Sequence, residues 1–280
     1  MSELKAELQK LYADASKHSV YQNIPDFVST ELGYTETIDE NWRGDRPRLA
    51  YIMGLRKPAM GETWLDFGAN TGFFTLSLAR KFPQTRFFAV EANANHAGFI
   101  ARIAKYFGMA NVEVIQRAVG LADLHELPHS DCLLHLNVLH HAGHDFDTDL
   151  LSDKGGFANY AVRYLGLLRD RADGMFFQMG SNWGGDKRQP LVAIRADVQK
   201  LETFSGWLQS SGWHVAQVAY ATRKADGGVK FRNFPWSAAR HAAEEAEGNR
   251  ANFQTEIDQF KLDDFPGEFY RRPLFSCTAT

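Results

Sequence analysis

Residues 63–72 read Thr-Trp-Leu-Asp-Phe-Gly-Ala-Asn-Thr-Gly, a short apolar run that ends in an acidic residue and a glycine. The apolar residues that follow, at 71–82, have helical spacing, so the two stretches predict a strand, a turn and a helix. Residues 86–92, Arg-Phe-Phe-Ala-Val-Glu-Ala, predict a second strand, and residues 93–108 predict a second helix. This alternation of strand and helix is typical of an open parallel sheet.

Further apolar runs continue the alternation along the chain. The predicted fold is α/β: a Rossmann-like, seven-stranded, mostly parallel sheet with helices on both faces. The Phe-rich strands should be buried on both faces. The remaining strands are predicted at residues 112–119, 132–139, 174–180, 213–222 and 271–280, and further helices at 156–171 and 191–212.

Two regions lie outside this alternation. Residues 1–60 are predicted to form a helical extension or lid, with helices at 4–15 and 48–55 and an irregular stretch between them, and residues 61–280 form the Rossmann-like domain. A long segment at about 223–269 separates the last two predicted strands. Long insertions usually serve function or assembly, but a solvated helix packed on the sheet edge explains the segment equally well.

Composition excludes several classes of protein. The 280 residues include 31 Lys and Arg and 34 Asp and Glu, a net charge of -3 that argues against binding duplex nucleic acid through broad phosphate neutralisation. The sequence shows no signal peptide and no apolar stretch of membrane-spanning length, so we expect a cytoplasmic protein that does not bind membranes. Cys132 and Cys277 lack metal or redox spacing and should be buried free thiols.

The turn after the first strand and the end of the second strand predict a nucleoside site. Glycines in the turn let the backbone approach a ligand, and Glu91 can accept hydrogen bonds from both hydroxyls of a ribose. The turn is neither the G-x-G-x-x-G of a dinucleotide site nor a phosphate-binding loop, and it contains no Lys or Arg. A nucleoside without phosphates is therefore expected, and S-adenosylmethionine is such a molecule.

The sequence Asp-Phe-Gly-Ala-Asn-Thr-Gly-Phe-Phe at 66–74, followed by Val-Glu-Ala-Asn at 90–93, resembles motifs I and II of the class I S-adenosylmethionine-dependent methyltransferases. The resemblance covers residues 63–222 and implies S-adenosylmethionine as cofactor. The chain departs from the family pattern after the third strand, where the acid Asp123 comes several residues late. The residues that the resemblance places at the cofactor are Asp66, Gly68, Asn70, Gly72, Glu91, Ala118, Val119 and Asn137.

Histidines cluster after the fourth predicted strand. Methyl transfer to a hydroxyl is an in-line displacement that requires removal of a proton, and an imidazole suits that task at neutral pH. We predict His140 or His141 as the general base, with His140 slightly favoured. Two alternatives stay open: a metal site in the pattern H-H-x-x-H-D-x-D at residues 140–147, or histidines with structural roles. His135, in mid-strand, should be a buried, hydrogen-bonded residue.

The polar loop after the fifth strand, residues 180–188, is predicted to bind the acceptor. Trp183 could stack on a ring, Asn182 and Asp186 could bind hydroxyls, and Arg188 could bind a carboxylate or phosphate. The alternative is a solvated turn. Tyr21 suits a lid over a bound nucleoside, or packing of the N-terminal helices against the sheet. Residues 17–22, with Arg43, Arg46 and Arg48, resemble the lead-in of family members from bacterial polysaccharide and specialised-metabolite pathways.

These observations predict a methyltransferase that acts on a hydroxyl of a small-molecule or glycan acceptor. A tRNA or protein acceptor is the first alternative, indicated by the arginines at 43–48 and at 271–272 and opposed by the near-neutral charge. A non-catalytic nucleoside-binding partner of an enzyme complex is the second. A homodimer is left open.

Overall fold

The computed structural model describes residues 2–12, 23–33, 43–237, 240 and 250–280. These residues divide into two compact units. Unit 1 comprises Met1–Val119 and Ser130–Leu134, and unit 2 comprises Gly120–His129 and His135–Thr280. The predicted division into an N-terminal region, residues 1–60, and a Rossmann-like domain, residues 61–280, stays a prediction.

Unit 1 is an α/β unit. Strands β1, β2 and β3 are parallel, and Thr63 of β1 lies beside Arg86 of β2. The N–H of Asp131 donates to the Thr63 carbonyl at 2.8 Å, so the first residues of β4 lie beside β1 and the order is β3-β2-β1-β4. The elements are α1 (Ser2–Tyr12), α2 (Asp26–Leu32), α3 (Asp45–Leu55), β1 (Thr63–Phe67), α4 (Phe73–Lys81), β2 (Arg86–Glu91), α5 (Ala94–Tyr106), β3 (Val112–Gln116) and the start of β4 (Cys132–Leu136).

Unit 2 continues from the end of β4 and has antiparallel pairs. The N–H of Asn137 donates to the Gln178 carbonyl at 2.6 Å, which places the end of β4 beside β5. The order is β4-β5-β8-β6-β7, with β8 antiparallel to both of its neighbours and β7 antiparallel to β6. The elements are α6 (Phe157–Arg169), β5 (Gly174–Gln178), α7 (Asp197–Ser210), β6 (Trp213–Arg223), β7 (Val229–Phe234), α8 (Arg250–Asp258) and β8 (Leu274–Ala279).

The mixed α/β class is confirmed, but the strand count and direction need correction. The described residues form eight strands rather than seven, and three of the strand pairs are antiparallel. The added strand, β7, lies in the segment predicted as an insertion at about 223–269. Its buried Val229 and Phe231 alternate with the exposed Lys230 and Arg232, the pattern of a half-buried strand, and Phe234 at its end is also buried. The prediction of a long insertion included no strand there.

Helix bounds also differ in the N-terminal region. Helix α2 lies inside the stretch predicted to be irregular, because Val28 and Leu32 bury an apolar face and Gly33 ends the helix in the left-handed conformation. The end of the predicted helix at 4–15 lies outside the described residues.

The core agrees with the sequence pattern. Phe87, Phe88, Phe176 and Phe177 of β2 and β5 are all buried, as expected for Phe-rich strands inside a sheet. Both cysteines are buried free thiols. Among the described residues, no helix is both long and apolar enough to cross a membrane.

Gly72 offers a test of local packing in unit 1. Its φ is +80°, and an added Cβ would lie 2.7 Å from Cγ1 of Ile100, so Gly72→Ala meets both backbone strain and a clash. We expect the free energy of unfolding in urea to fall by about 1–3 kcal/mol. Gly54→Ala is the matched control, since a Cβ there meets nothing within 4 Å and the site is helical. Equal stability of the two variants would contradict this explanation.

Candidate functional site

The turn between β1 and α4 takes a path that few residue types adopt. Gly68, Asn70 and Gly72 have φ values of 72°, 52° and 80°, all in the left-handed region. Glycine enters this region without steric cost, and asparagine is among the other residues that tolerate it best. The Oδ1 atom of Asn70 accepts the N–H of Thr71 at 2.9 Å, which holds the turn locally.

Glu91, the last residue of β2, anchors this turn. Its Oε2 accepts the N–H of Asn70 at 2.7 Å, and its Oε1 accepts the N–H of Asn93 at 2.8 Å. The residue is only 9% exposed, so its carboxylate does not point into solvent. His96, which sequence reasoning did not select, places Nδ1 3.9 Å from Oε1. Asn93 also caps α5 by accepting the N–H groups of Asn95 and His96.

Asp66, in β1, is hydrogen-bonded to helix α4. Its Oδ2 accepts the Thr75 hydroxyl at 2.7 Å. Burial raises the pKa of Asp66 to about 6; the hydrogen bonds from Thr75 lower it, the charge of Glu91 raises it and that of Arg48 lowers it. The structure thus places Asp66 against α4, and its predicted cofactor contact stays a prediction. Ala118 and Val119 follow β3, where Ala118 is exposed and Val119 is buried.

In unit 2, His140 has a defined tautomer. It is 3% exposed, and its Nδ1 lies 3.2 Å from the Gly180 nitrogen, whose N–H donates to it. Because Nδ1 accepts, the proton of the neutral ring is on Nε2. Its ring centroid lies 4.2 Å from that of His141. Gly180 has no side chain for a packing reason, since a Cβ there would lie 2.8 Å from the His140 ring.

His141 pairs with a carboxylate. Its Nδ1 lies 3.0 Å from Oδ2 of Asp145, and the two side chains are 17% and 30% exposed. The Asp145 carboxylate thus lies at ion-pair distance from the Nδ1 edge of the His141 ring. The two histidines therefore differ in solvent exposure: His140 is buried and His141 is partly exposed. The sequence alone did not indicate this difference.

The other members of the H-H-x-x-H-D-x-D pattern have different partners. The His144 ring packs edge-on against Trp183, with centroids 4.4 Å apart. Asp147 accepts the N–H of Leu121 and the hydroxyl of Tyr160. In the part of the chain that the structure describes, no group of three or more His, Cys, Asp or Glu side chains is arranged to hold a metal ion. The geometry therefore gives the metal alternative no support.

His135 has the structural role expected from its place in β4. It is fully buried, and its Nε2 lies 3.4 Å from the Tyr164 hydroxyl. Burial lowers its pKa to about 3, so it is neutral at physiological pH. The prediction of a buried, hydrogen-bonded histidine is confirmed.

The loop after β5 has a buried and an exposed part. Trp183 is 6% exposed and donates Nε1–H to the Ala142 carbonyl at 2.6 Å, so it packs inside unit 2. Asn182 is 2% exposed. The guanidinium of Arg188 donates to Asp186 and lowers the pKa of that carboxyl, while Arg188 itself is 89% exposed. Tyr21 lies outside the described residues.

A polar network that sequence reasoning missed connects the loop after β4 to the end of β5 and to Arg272. Asn137 has a φ of 65°. Its Oδ1 accepts Nη1–H of Arg272 at 2.8 Å, and its amide lies 3.3 Å from Oε1 of Gln178. Gln178 in turn donates to the Arg272 carbonyl at 3.1 Å. The available signal was a pair of opposite charges four residues apart, Glu268 and Arg272, directly before the last strand.

Comparison with known proteins adds one informative similarity. No family model matches the chain. The ribosomal RNA small subunit methyltransferase G of Ectopseudomonas mendocina (strain ymp) is 32% identical over 59 residues, which are 21% of this chain. This chain is similar to methyltransferases. The methyltransferase resemblance predicted from the motifs is thereby confirmed, although the match spans just 28% of the length of the curated relative.

Solved structures show distant likenesses. TehB from Haemophilus influenzae has a TM-score of 0.48 at 7% identity, covering 91% of this chain and 66% of TehB. WbdD has a TM-score of 0.46 at 18% identity, covering 65% of this chain and 40% of WbdD. Precorrin-6y C5,15-methyltransferase from Geobacter metallireducens GS-15 has a TM-score of 0.41 at 16% identity, covering 83% and 85%.

The raised pKa of Asp66 predicts a pH-dependent stability. A folded-state pKa of about 6, above the ordinary 3.8, means that the protonated carboxyl stabilises the fold and that this stabilisation is lost as pH rises from about 4 to about 6. Relative to Asp66→Asn, the wild type should lose about 3 kcal/mol of unfolding free energy over that range. Urea unfolding at intervals of half a pH unit measures it, and parallel profiles would contradict it.

Proposed function

We propose that this chain is an S-adenosylmethionine-dependent methyltransferase that transfers a methyl group to a hydroxyl oxygen of a small-molecule or glycan acceptor. The observation that carries the proposal is the anchoring of the turn at 68–72 by the buried carboxylate of Glu91. The 59-residue similarity to a methyltransferase supports it independently.

The residues of unit 1 fit a nucleoside that lacks phosphates. Each Glu91 oxygen accepts one backbone N–H. Because a carboxylate oxygen can accept more than one hydrogen bond, we assign the ribose hydroxyls to Glu91. The hydroxyl of Thr71 is buried in the turn and has no hydrogen-bond partner among the described residues, as expected of a group that a polar ligand atom completes. In this proposal the cofactor-binding residues are Asp66, Gly68, Asn70, Gly72, Glu91, Ala118, Val119 and Asn137.

S-adenosylmethionine, when bound, supplies a methyl group on a positively charged sulfur. The protein has to orient the acceptor oxygen and take up its proton. Of the two candidate bases, His141 is favoured over His140, because Asp145 orients its ring and its side chain is partly exposed. His140 is buried and accepts the Gly180 N–H, which suits a supporting role.

We assign acceptor binding to the loop after β5 and to Tyr21 of the N-terminal region. Asp186 and Arg188 form an exposed pair whose charges are available to hydroxyls or to an anionic group. Asn182 and Trp183 form the buried base of the loop, so substitutions there should act through its shape. Cytoplasmic location and a homodimer stay predictions.

RNA methylation is the second candidate, and the similarity to a ribosomal RNA methyltransferase favours it. Four of the five arginines that suggested it form ion pairs within the chain: Arg48 with Asp45, Arg46 with Asp26, Arg271 with Asp197 and Arg272 with Glu268. The net charge of -3 also opposes it. A filter-binding assay distinguishes the candidates, because RNA affinity that falls steeply with salt would favour RNA as acceptor.

Calorimetric titration with S-adenosylhomocysteine tests the cofactor assignment. We expect binding by the wild type and affinity about 10–100-fold weaker for Glu91→Gln, since hydrogen bonds to a charged group contribute about 1.5–3 kcal/mol. Glu113→Gln is the control: Glu113, on β3, is half exposed and pairs with Arg86. Absence of binding by a folded wild type, with either S-adenosylhomocysteine or S-adenosylmethionine, would refute the proposed function.

Transfer of labelled methyl from S-adenosylmethionine to a metabolite extract tests the base. His141→Ala should slow transfer by about 10²–10⁴-fold, the usual contribution of a general base, with S-adenosylhomocysteine affinity unchanged. His129→Ala, which removes a 57% exposed histidine, should not change the rate. If His141→Ala retains the wild-type rate across the pH range, His141 is not the base.

A further inference from the structure

Glu268 and Arg272, in the stretch that precedes β8, connect the loops that follow β4 and β5. The Oε1 atom of Glu268 accepts the N–H of Ser181 at 2.5 Å, and its Oε2 accepts the side-chain N–H of Asn182 at 3.0 Å. Arg272 donates Nη1–H to Asn137 at 2.8 Å. The two residues also pair with each other, with Nε of Arg272 3.3 Å from Oε1. One ion pair thus holds both loops.

Glu268 is a charged group in a nearly closed environment. Its side chain is 11% exposed. Burial alone would raise the pKa of Glu268, but the charge of Arg272 and the hydrogen bonds from Ser181 outweigh it and lower the pKa overall. Glu268 is therefore ionised at neutral pH and accepts charge-assisted hydrogen bonds, which are stronger than neutral ones.

The Glu268 contacts extend to the histidine pair. Ser181, held by Glu268, directly follows Gly180, whose N–H donates to Nδ1 of His140. On the other loop, Asn137 is held by Arg272 in the left-handed conformation, three residues before His140. Both the acceptor loop and the turn that carries His141 are therefore fixed from one point on the chain.

We propose that Glu268 is a positioning residue for the methyl-transfer reaction, and that Arg272 completes its effect on the loop after β4. The inference rests on the proposed function for what these loops do. The proposal also gives a role to the end of the segment between β7 and β8. This stretch carries Glu268, which contacts the loop after β5, and Arg272, which contacts the loop after β4. Other ion pairs described in this segment join Arg240 to Glu256 and Arg271 to Asp263.

Hydrogen exchange measured by mass spectrometry on the full chain tests the proposal. Glu268→Gln should speed exchange at least about tenfold in peptides covering 180–185, because Ser181 loses a charge-assisted bond. Arg272→Lys keeps the charge but cannot reproduce the guanidinium fork, so exchange should rise at 137–141 instead. Glu256→Gln is the matched control: it breaks another glutamate-arginine pair of the segment, in which Glu256 is 29% exposed, and should leave both loops unchanged.

Methyl transfer and S-adenosylhomocysteine titration separate positioning from folding. Glu268→Gln should reduce transfer at least about tenfold while its affinity for S-adenosylhomocysteine stays within twofold of the wild type. Unchanged exchange at 180–185 in a folded Glu268→Gln protein overturns the proposal. If Glu268→Gln does not fold, hydrogen exchange of Arg272→Lys provides the test. Unchanged exchange at 137–141 in that variant overturns the proposal. A wild type that binds no S-adenosylhomocysteine refutes the proposed function instead, while the exchange pattern still reports on Glu268.

Discussion

The buried carboxylate of Glu91 is the constraint on which the candidate cofactor site depends. It joins the end of β2 to the turn after β1 and to the start of α5, through the N–H groups of Asn70 and Asn93. Parallel pairing of β1 with β2 sets the distance between these elements. Without the carboxylate, two backbone donors would lose their acceptor and the left-handed conformation of Asn70 would lose its main support.

Local signals were sufficient for the parallel part of the fold and for the cofactor motif. Apolar periodicity predicted β1 to β5 and helices α4 to α7. A buried strand or helix face needs apolar residues at regular positions within a few neighbouring residues, so the pattern is visible in a short stretch of sequence. The conformations of Gly68 and Gly72 were likewise expected from residue type. Strand β7 was missed because Val229 and Phe231 alternate with exposed residues over a very short stretch, which was assigned to the long connection at about 223–269.

Contacts between distant segments left no comparable signal. His140 and His141 are adjacent and identical in type. The contacts that distinguish them include the N–H of Gly180, 40 residues from His140, and the carboxylate of Asp145 beside His141. Glu268 accepts hydrogen bonds from Ser181 and Asn182, which lie 87 and 86 positions before it in the chain. Such partners cannot be predicted from sequence spacing, because they become neighbours only when β8 pairs with β5 in the folded chain.

The position of β8 also constrains how unit 2 is made. Strand β8 pairs with β5 and with β6 on its two sides, although both are synthesised well before it. While the ribosome is still adding residues 274–279, β5 and β6 each expose an unpaired edge that would otherwise recruit strands from other chains. The strand pairing of β5 and β6 is thus complete only after β8 has been synthesised and has entered between them.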